Sequence, residues 1–197
     1  MVSTQIIRQA QTRIQDIITP TPLLSSDRLN RQLPFDVYIK AECLQRTGSF
    51  KFRGACNAVF SLTQPGQPVI AFSSGNHAQA VALAALLSGR KATIIMPEDA
   101  PQAKIDGTRA YSAEVVLYDR YSESREEIGK KLASEQGAEL IRPYDDARVI
   151  AGQGTAGLEI AAQAKAAGFT PDSFICCCGG GGLMAGSATA LHDAFES

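Results

Sequence analysis

The chain of 197 residues allows one large domain or two small ones and is long enough to bury a substantial core. Nineteen Lys and Arg against 20 Asp and Glu leave a formal charge of −1, so there is no electrostatic case for nucleic acid or an anionic membrane, and a small molecule is the expected ligand. No apolar run is long enough to span a bilayer and no basic-then-apolar leader opens the chain, so a cytoplasmic location is the default.

Ser3 to Ile18 is basic and amphipathic, a pattern shared by transit peptides and ordinary helices; Asp16 and the helical apolar spacing favour a folded helix. Thr19-Pro20-Thr21-Pro22 breaks regular structure, Ser26 to Leu33 reads as a short serine-capped helix, and Val37 to Lys40 is the first strand candidate. The next stretch is Thr47-Gly48-Ser49-Phe50-Lys51-Phe52-Arg53-Gly54-Ala55. Gly48 supplies a turn and Ser49 an N-cap, which puts Lys51 in the first turn of a helix running toward Leu62. The positive end of the helix dipole and partial burial between Phe50 and Phe52 both disfavour the ammonium. A neutral amine there can form a Schiff base with an aldehyde cofactor.

Beyond Gln64-Pro65-Gly66, strands and helices alternate: strand Val69 to Phe72, an apolar and therefore buried helix Asn76 to Leu87, strand Ala92 to Met96, helix Gln102 to Tyr111 and strand Glu114 to Tyr118. Arg125 to Glu135 follows as a helix, with Ser124 and Glu127 in capping-box spacing and Gly137 at its C-cap. Glu139 to Ile141 is a strand, Leu158 to Lys165 a helix, Phe174 to Cys178 a strand and Leu183 to Ala194 the last helix. Such alternation implies an α/β fold, a mostly parallel sheet with helices on both faces, whose ligands bind where strands end and helices begin. Gly107 is out of place inside a helix, costing about 1 kcal/mol relative to Ala. Cys43, Cys56, Cys176, Cys177 and Cys178 show no metal-binding spacing, so no metal site is expected; the last three read as apolar residues of a buried strand, with reduced thiols.

Three turns fall at site-forming ends. Ser73-Ser74-Gly75-Asn76-His77 precedes the buried helix, and its first-turn N–H groups suit a carboxylate beyond what helix capping requires. Gly179-Gly180-Gly181-Gly182 leaves backbone amides free to converge on a phosphate. Gly152-Gln153-Gly154-Thr155-Ala156-Gly157 matches the dinucleotide pattern GxGxxG, but the strand before it is weak and no acidic residue ends the strand after it. It is expected to be a helix start near the site, with nucleotide binding as the competing reading. His192, beside Asp193 on a polar face, reads as solvated.

Leu44 to Ala55, Ser73 to His77 and Gly179 to Leu183 together resemble the fold-type II pyridoxal-phosphate enzymes, and within them the serine/threonine dehydratase and serine racemase branch. Phe52 after the lysine and His77 after the Ser-Ser-Gly-Asn run carry the choice of branch, and the resemblance extends from about Thr21 to the last helix. It implies that Lys51 holds the cofactor and then shuttles the Cα proton, that Phe50 lines the cofactor face, and that Asn76 bonds the ring 3′-oxygen. Gly179, Gly180, Gly181 and Gly182 would cradle the phosphate; Ser73, Asn76 and His77 would receive the substrate carboxylate; Ser74 would stand on the face opposite Lys51. The implied reaction is deamination of L-threonine or L-serine to a 2-oxo acid and ammonia, with racemisation as an alternative if Ser74 acts as a second acid. The implied organisation is a cofactor domain built from residues 1–63 and 143–197, a small domain of residues 64–142, and a homodimer. Family members continue past the tetraglycine loop, so the partner of the pyridine nitrogen and the acidic metal ligands of some members are expected to lie outside these residues. The Cys-rich strand would then have an open edge, and an inactive paralogue remains a further reading.

Overall fold

The computed structural model describes residues 2–195. The first helix, α1 (Thr4–Ile14), is capped by Ser3 and buries Ile7, Ala10 and Ile14. Next come β1 (Leu23–Ser25), the one-turn helix α2 (Asp27–Asn30) with Ser26 as its cap, and β2 (Tyr38–Lys40), which pairs antiparallel with β1. β1 has no signal in the sequence, because three residues after a Pro-rich stretch show no periodicity. The lysine helix is α3 (Lys51–Phe60).

The alternating region holds β3 (Val69–Phe72), α4 (Asn76–Leu87), β4 (Ala92–Pro97), α5 (Gln102–Arg109), β5 (Glu114–Tyr118), α6 (Arg125–Gln136) and β6 (Glu139–Leu140). Ser124 Oγ accepts from Glu127 N at 3.3 Å, and Gly137 closes α6 in the left-handed region at φ 60°, so both ends of that helix are as the sequence predicts. The four strands form one parallel sheet in the order β5-β4-β3-β6. Their alternation divides the side chains. Val69, Ala71, Ile94 and Met96 join the core against α4 and α5, while Ile70, Phe72, Ile95 and Tyr118 pack with Ile128 and Leu132 of α6. Helices therefore cover both faces, the doubly wound arrangement expected of a buried parallel sheet. The main core also takes in Ile14, Phe52, Val59 and Val149, so it continues from the sheet into the helical layer without a break.

The helical layer is completed by α7 (Ala147–Ala166) and α8 (Gly182–Phe195). The expectation for Gly152 to Gly157 needs correction here: the whole run lies inside α7, neither a loop nor a helix start. A Cβ on Gly152 would stand 2.5 Å from Arg53 O, one on Gly154 2.8 Å from Ile7 Cδ1, and one on Gly157 2.7 Å from Ser187 O. These glycines let α3, α1 and α8 approach α7 closely, and that packing outweighs their poor helix propensity. No strand leads into the run, which removes the structural basis for dinucleotide binding.

Phe174 to Cys178 is a second correction. It is irregular, Ile175 is 91% exposed, and Cys177 and Cys178 lie at the surface. A strand requires a ladder partner, and no described strand lies beside this segment. Cys56 alone among the five cysteines is buried.

Candidate active site

The sheet changes direction between β3 and β6: the chain moves outward from β3 through β4 to β5, then returns to place β6 on the other side. At such a switch the turns after the two central strands diverge and leave a crevice. The turn after β3 is Ser73 to His77, and the segment after β6 is residues 141–146. The predicted residues gather along that crevice.

Lys51 reaches it from α3. Phe50 is already helical (φ −52°, ψ −20°), and extended Ser49 accepts from Lys51 N through Oγ at 3.4 Å, so Ser49 is the capping residue that the sequence suggests. The Lys51 ammonium donates to Pro143 O at 2.8 Å and lies 5.4 Å from the centre of the Phe50 ring. Burial pushes its pKa below that of a free lysine, the direction a nucleophilic amine needs. Just before it, Thr47 occupies the left-handed region at φ 60° with its hydroxyl buried and, among the described residues, unpartnered. A β-branched residue in that conformation costs on the order of 1 kcal/mol or more, strain of a kind that clusters at functional sites.

Residues 141–146 tie the parts together. His77 is 2% exposed, and its Nε2 lies 3.1 Å from Ile141 O, so the ring proton is assigned to Nε2. Burial lowers the imidazole pKa to about 4, opposed by the Ile141 carbonyl and reinforced by the Lys51 charge, so the ring is neutral near pH 7. Its Nδ1 has no partner among the described residues. Two residues after Ile141, Pro143 accepts from Lys51; one further, the Tyr144 ring packs on the glycine loop. A Cβ on Gly180 would fall inside the Tyr144 ring, and one on Gly182 would sit 3.2 Å from Tyr144 O. Gly180 is therefore required by Tyr144, Gly181 adopts φ 82°, and Gly179 has open space around it. The loop runs straight into α8, whose first-turn N–H groups have no intrahelical acceptors and carry the positive end of the helix dipole. Asp146 caps α7 by accepting from Arg148 N at 2.8 Å.

At the β3 turn, Ser73 Oγ accepts from Gly75 N at 3.2 Å, and the N–H groups of Asn76 and His77 meet no acceptor in the described residues. The Asn76 side chain is exposed, while Ser73 and Ser74 line a cleft of about 330 Å³ that also touches Pro97, Tyr118, Arg120 and Arg125. Sequence reasoning missed Pro143 and Tyr144. Pro143 contributes a backbone carbonyl, which no residue type announces, although a short polar run after a β-strand of a parallel sheet is a position worth searching.

The α3 helix is fixed from below by charges. Arg53, fully buried, donates to Glu42 Oε2 at 2.7 Å and Oε1 at 2.8 Å, and to Glu159 Oε1 at 2.6 Å and Oε2 at 2.9 Å; Lys40 Nζ reaches the same Glu159 at 2.7 Å. The pairing holds the Glu159 carboxyl below its usual range against the opposing effect of burial. His192 is exposed near the end of α8, away from these groups in sequence and structure. Among the described residues no cluster of His, Cys, Asp or Glu could hold a metal ion, and no helix is long and apolar enough to cross a membrane.

A doubly wound sheet, a half-buried lysine of lowered pKa and a glycine loop feeding a helix N-terminus define a site for a phosphorylated cofactor with an electrophilic carbon. The chain belongs to the family of pyridoxal-phosphate dependent enzymes, whose model matches residues 14–197. It is 48% identical over 186 residues to the L-threo-3-hydroxyaspartate ammonia-lyase of Saccharomyces cerevisiae, a match that covers 93% of this chain and 56% of that protein. The serine racemase of Arabidopsis thaliana is 44% identical over 186 residues, with 93% of this chain and 55% of the relative covered. The crystal structure of a T.th. threonine deaminase superposes with a TM-score of 0.90 at 49% identity, covering 97% of this chain and 61% of that one. The chain spans about half the length of the curated relatives it matches.

The residues present suit pyridoxal phosphate. Lys51 could supply the amine, the glycines and the first turn of α8 could supply donors for the phosphate, and the Tyr144–Gly180 contact leaves no room for a side chain at Gly180.

Proposed function

We propose that this chain carries the cofactor and substrate residues of an amino-acid ammonia-lyase that converts a 3-hydroxy amino acid to a 2-oxo acid and ammonia. The observation that carries the reading is the Lys51 amine of lowered pKa, fastened to Pro143 O beside the Tyr144–glycine contact. Bound there, pyridoxal phosphate supplies an electron sink for the charge left on the substrate Cα. Lys51 Nζ holds the cofactor and then takes the Cα proton, a task that needs the amine neutral and within reach. Gly179 to Gly182 and the α8 N-terminus bind the phosphate, Phe50 lines the cofactor face and Asn76 bonds its ring oxygen. The substrate carboxylate is received at the β3 turn by Ser73 Oγ and the N–H groups of Asn76 and His77. The buried His77 imidazole contributes indirectly, by fastening α4 to Ile141. The Cβ hydroxyl leaves as water, matching the proton that Lys51 took from Cα, and hydrolysis of the resulting enamine consumes one water and releases ammonia, so the net change is a 3-hydroxy amino acid to a 2-oxo acid plus ammonium.

A racemase is the second reading, favoured by one observation: the Ser74 hydroxyl lines the cleft at the β3 turn and is available as a second acid. The same proposal includes a cofactor domain of residues 1–63 and 143–197 with a small domain of residues 64–142, and a homodimer, for which the exposed Leu24, Phe35 and Ile39 offer apolar surface. Five free cysteines fit a reducing, cytoplasmic setting. The test is 2-oxo acid formation from L-threonine and L-serine after incubation with pyridoxal phosphate, for the wild type and Lys51→Ala. Product that disappears in Lys51→Ala supports the reading; absence of product from the wild type overturns it, and a D-amino acid in its place selects the racemase.

A further inference from the structure

The segment that receives the Lys51 ammonium has little support of its own. β6 is a two-residue edge strand bonded to β3 alone, and residues 141–146 beyond it form neither helix nor strand. The Ile141 N–H donates to Ile70 O at 2.8 Å, but the N–H groups of Arg142, Tyr144, Asp145 and Asp146 meet no acceptor among the described residues. Pro143 O, in the middle of this stretch, nevertheless stands 2.8 Å from Lys51 Nζ. A stretch without a ladder is fixed by what holds its ends.

Arg148 joins those ends. Its Nη2 donates to Glu139 Oε1 of β6 at 2.8 Å and to Asp146 Oδ2, at the cap of α7, at 2.7 Å, while Nε reaches Asp146 Oδ1 at 3.0 Å. One nitrogen thus draws together a residue before the segment and the residue that closes it. The main chain of Arg148 is in turn bonded to the lysine helix: Asn57 of α3, 2% exposed, donates through Nδ2 to Arg148 O at 2.7 Å, and its Oδ1 accepts from Arg13 of α1. The lysine and the carbonyl it bonds are therefore both held relative to one residue, through Asn57 on the α3 side and through the guanidinium on the β6 side. The planar fork of an arginine can serve two carboxylates at once, which a single ammonium does less well.

We infer that Arg148 is a positioning residue for Lys51: by clamping Glu139 to Asp146 it fixes residues 141–146, and with them the Pro143 carbonyl, against the lysine amine. The inference rests on the cofactor role given to Lys51 above. The Arg148 and Glu139 side chains are 33% and 35% exposed, so the clamp has the strength of a partly exposed ion pair, worth a factor of about five in the placement of the amine.

The test follows Lys51 in wild type, Arg148→Met, Arg148→Lys, Glu139→Gln and the Arg148→Met/Glu139→Gln double variant. Without cofactor, acylation by acetic anhydride is mapped by mass spectrometry at Lys51 and at the exposed Lys130; with pyridoxal phosphate, affinity and visible circular dichroism per bound cofactor are read. The α7 cap bonds the Arg148 main chain, so it survives each of these substitutions. Arg148→Met should acylate about fivefold faster at Lys51 and at an unchanged rate at Lys130, bind the cofactor about fivefold more weakly and show less dichroism per bound cofactor. Arg148→Lys should recover part of each change, Glu139→Gln should move in the same direction, and the double variant should be no worse than Arg148→Met. Unchanged Lys51 acylation in Arg148→Met, equal acceleration at Lys51 and Lys130, or additive effects in the double variant overturns the inference. If the wild type takes up no cofactor, the function proposed above fails, while the acylation rates still decide the clamp.

Discussion

Acid should loosen this structure through His77 before it touches the carboxylates. Unfolded, the imidazole takes its proton near pH 6.5; folded, burial holds its pKa at about 4. Between those values the unfolded chain binds the extra proton, so the stability contributed by the neutral ring is complete above pH 6.5 and is lost as the pH falls toward 4. The partly buried carboxyls of Glu159 and Asp146 are also lowered, from ordinary values of 4.5 and 3.8, and they therefore remove stability only below about pH 4.5. The window from about pH 6.5 to about 4.5 belongs to His77: two units at about 1.4 kcal/mol each give a loss of about 3 kcal/mol. That is a large part of a typical stability of about 5–15 kcal/mol. The assay is urea unfolding at half-unit steps across this window for the wild type and His77→Gln, which keeps an N–H to offer Ile141 O and cannot titrate. The wild type should lose about 3 kcal/mol and His77→Gln less than about 1 kcal/mol. Parallel curves for the two proteins would refute the reasoning.

Three further outcomes follow from the packing. Arg53→Met removes the guanidinium that both Glu42 and Glu159 face, leaving their carboxylates without their main partner; a loss of about 3–5 kcal/mol by chemical denaturation is expected, partly recovered when Glu159 is changed to Gln as well. Gly152→Ala would drive a Cβ to 2.5 Å from Arg53 O and 2.7 Å from Gly54 Cα, both backbone, so α3 and α7 must separate; a net loss of about 1–3 kcal/mol should appear in thermal melts despite the better helix propensity of alanine. Gly180→Ala must expel the Tyr144 ring, and because that loop is exposed the fold should survive while pyridoxal-phosphate affinity, followed by visible absorbance, falls by at least about tenfold.

The parts of this fold that could be read from the sequence are those decided locally. The α6 caps at Ser124 and Gly137, the buried helix behind Asn76 and the strands from Val69 to Tyr118 depend on residues a few positions apart. The failures involve contacts between distant segments. Gly152, Gly154 and Gly157 carry a loop signature when read alone, and only the approach of α3, α1 and α8 makes them interior helix residues. Phe174 to Cys178 has strand composition, but composition cannot supply a neighbouring strand. In the candidate site, Lys51, the serine turn and the glycine loop could be proposed from the sequence because the chemistry proposed for them resides in residue type. Pro143 and Tyr144 could not, since one acts through a carbonyl and the other by filling the space that Gly180 leaves.

The central claim is that Lys51 is the amine that takes up the cofactor. Incubation with pyridoxal phosphate, borohydride reduction and peptide mass mapping test it directly, because reduction fixes the cofactor to whichever lysine holds it. The predicted result is a single phosphopyridoxyl group on the peptide containing Lys51, absent in Lys51→Ala. Labelling spread over surface lysines such as Lys91 and Lys130, or unchanged in Lys51→Ala, would contradict it.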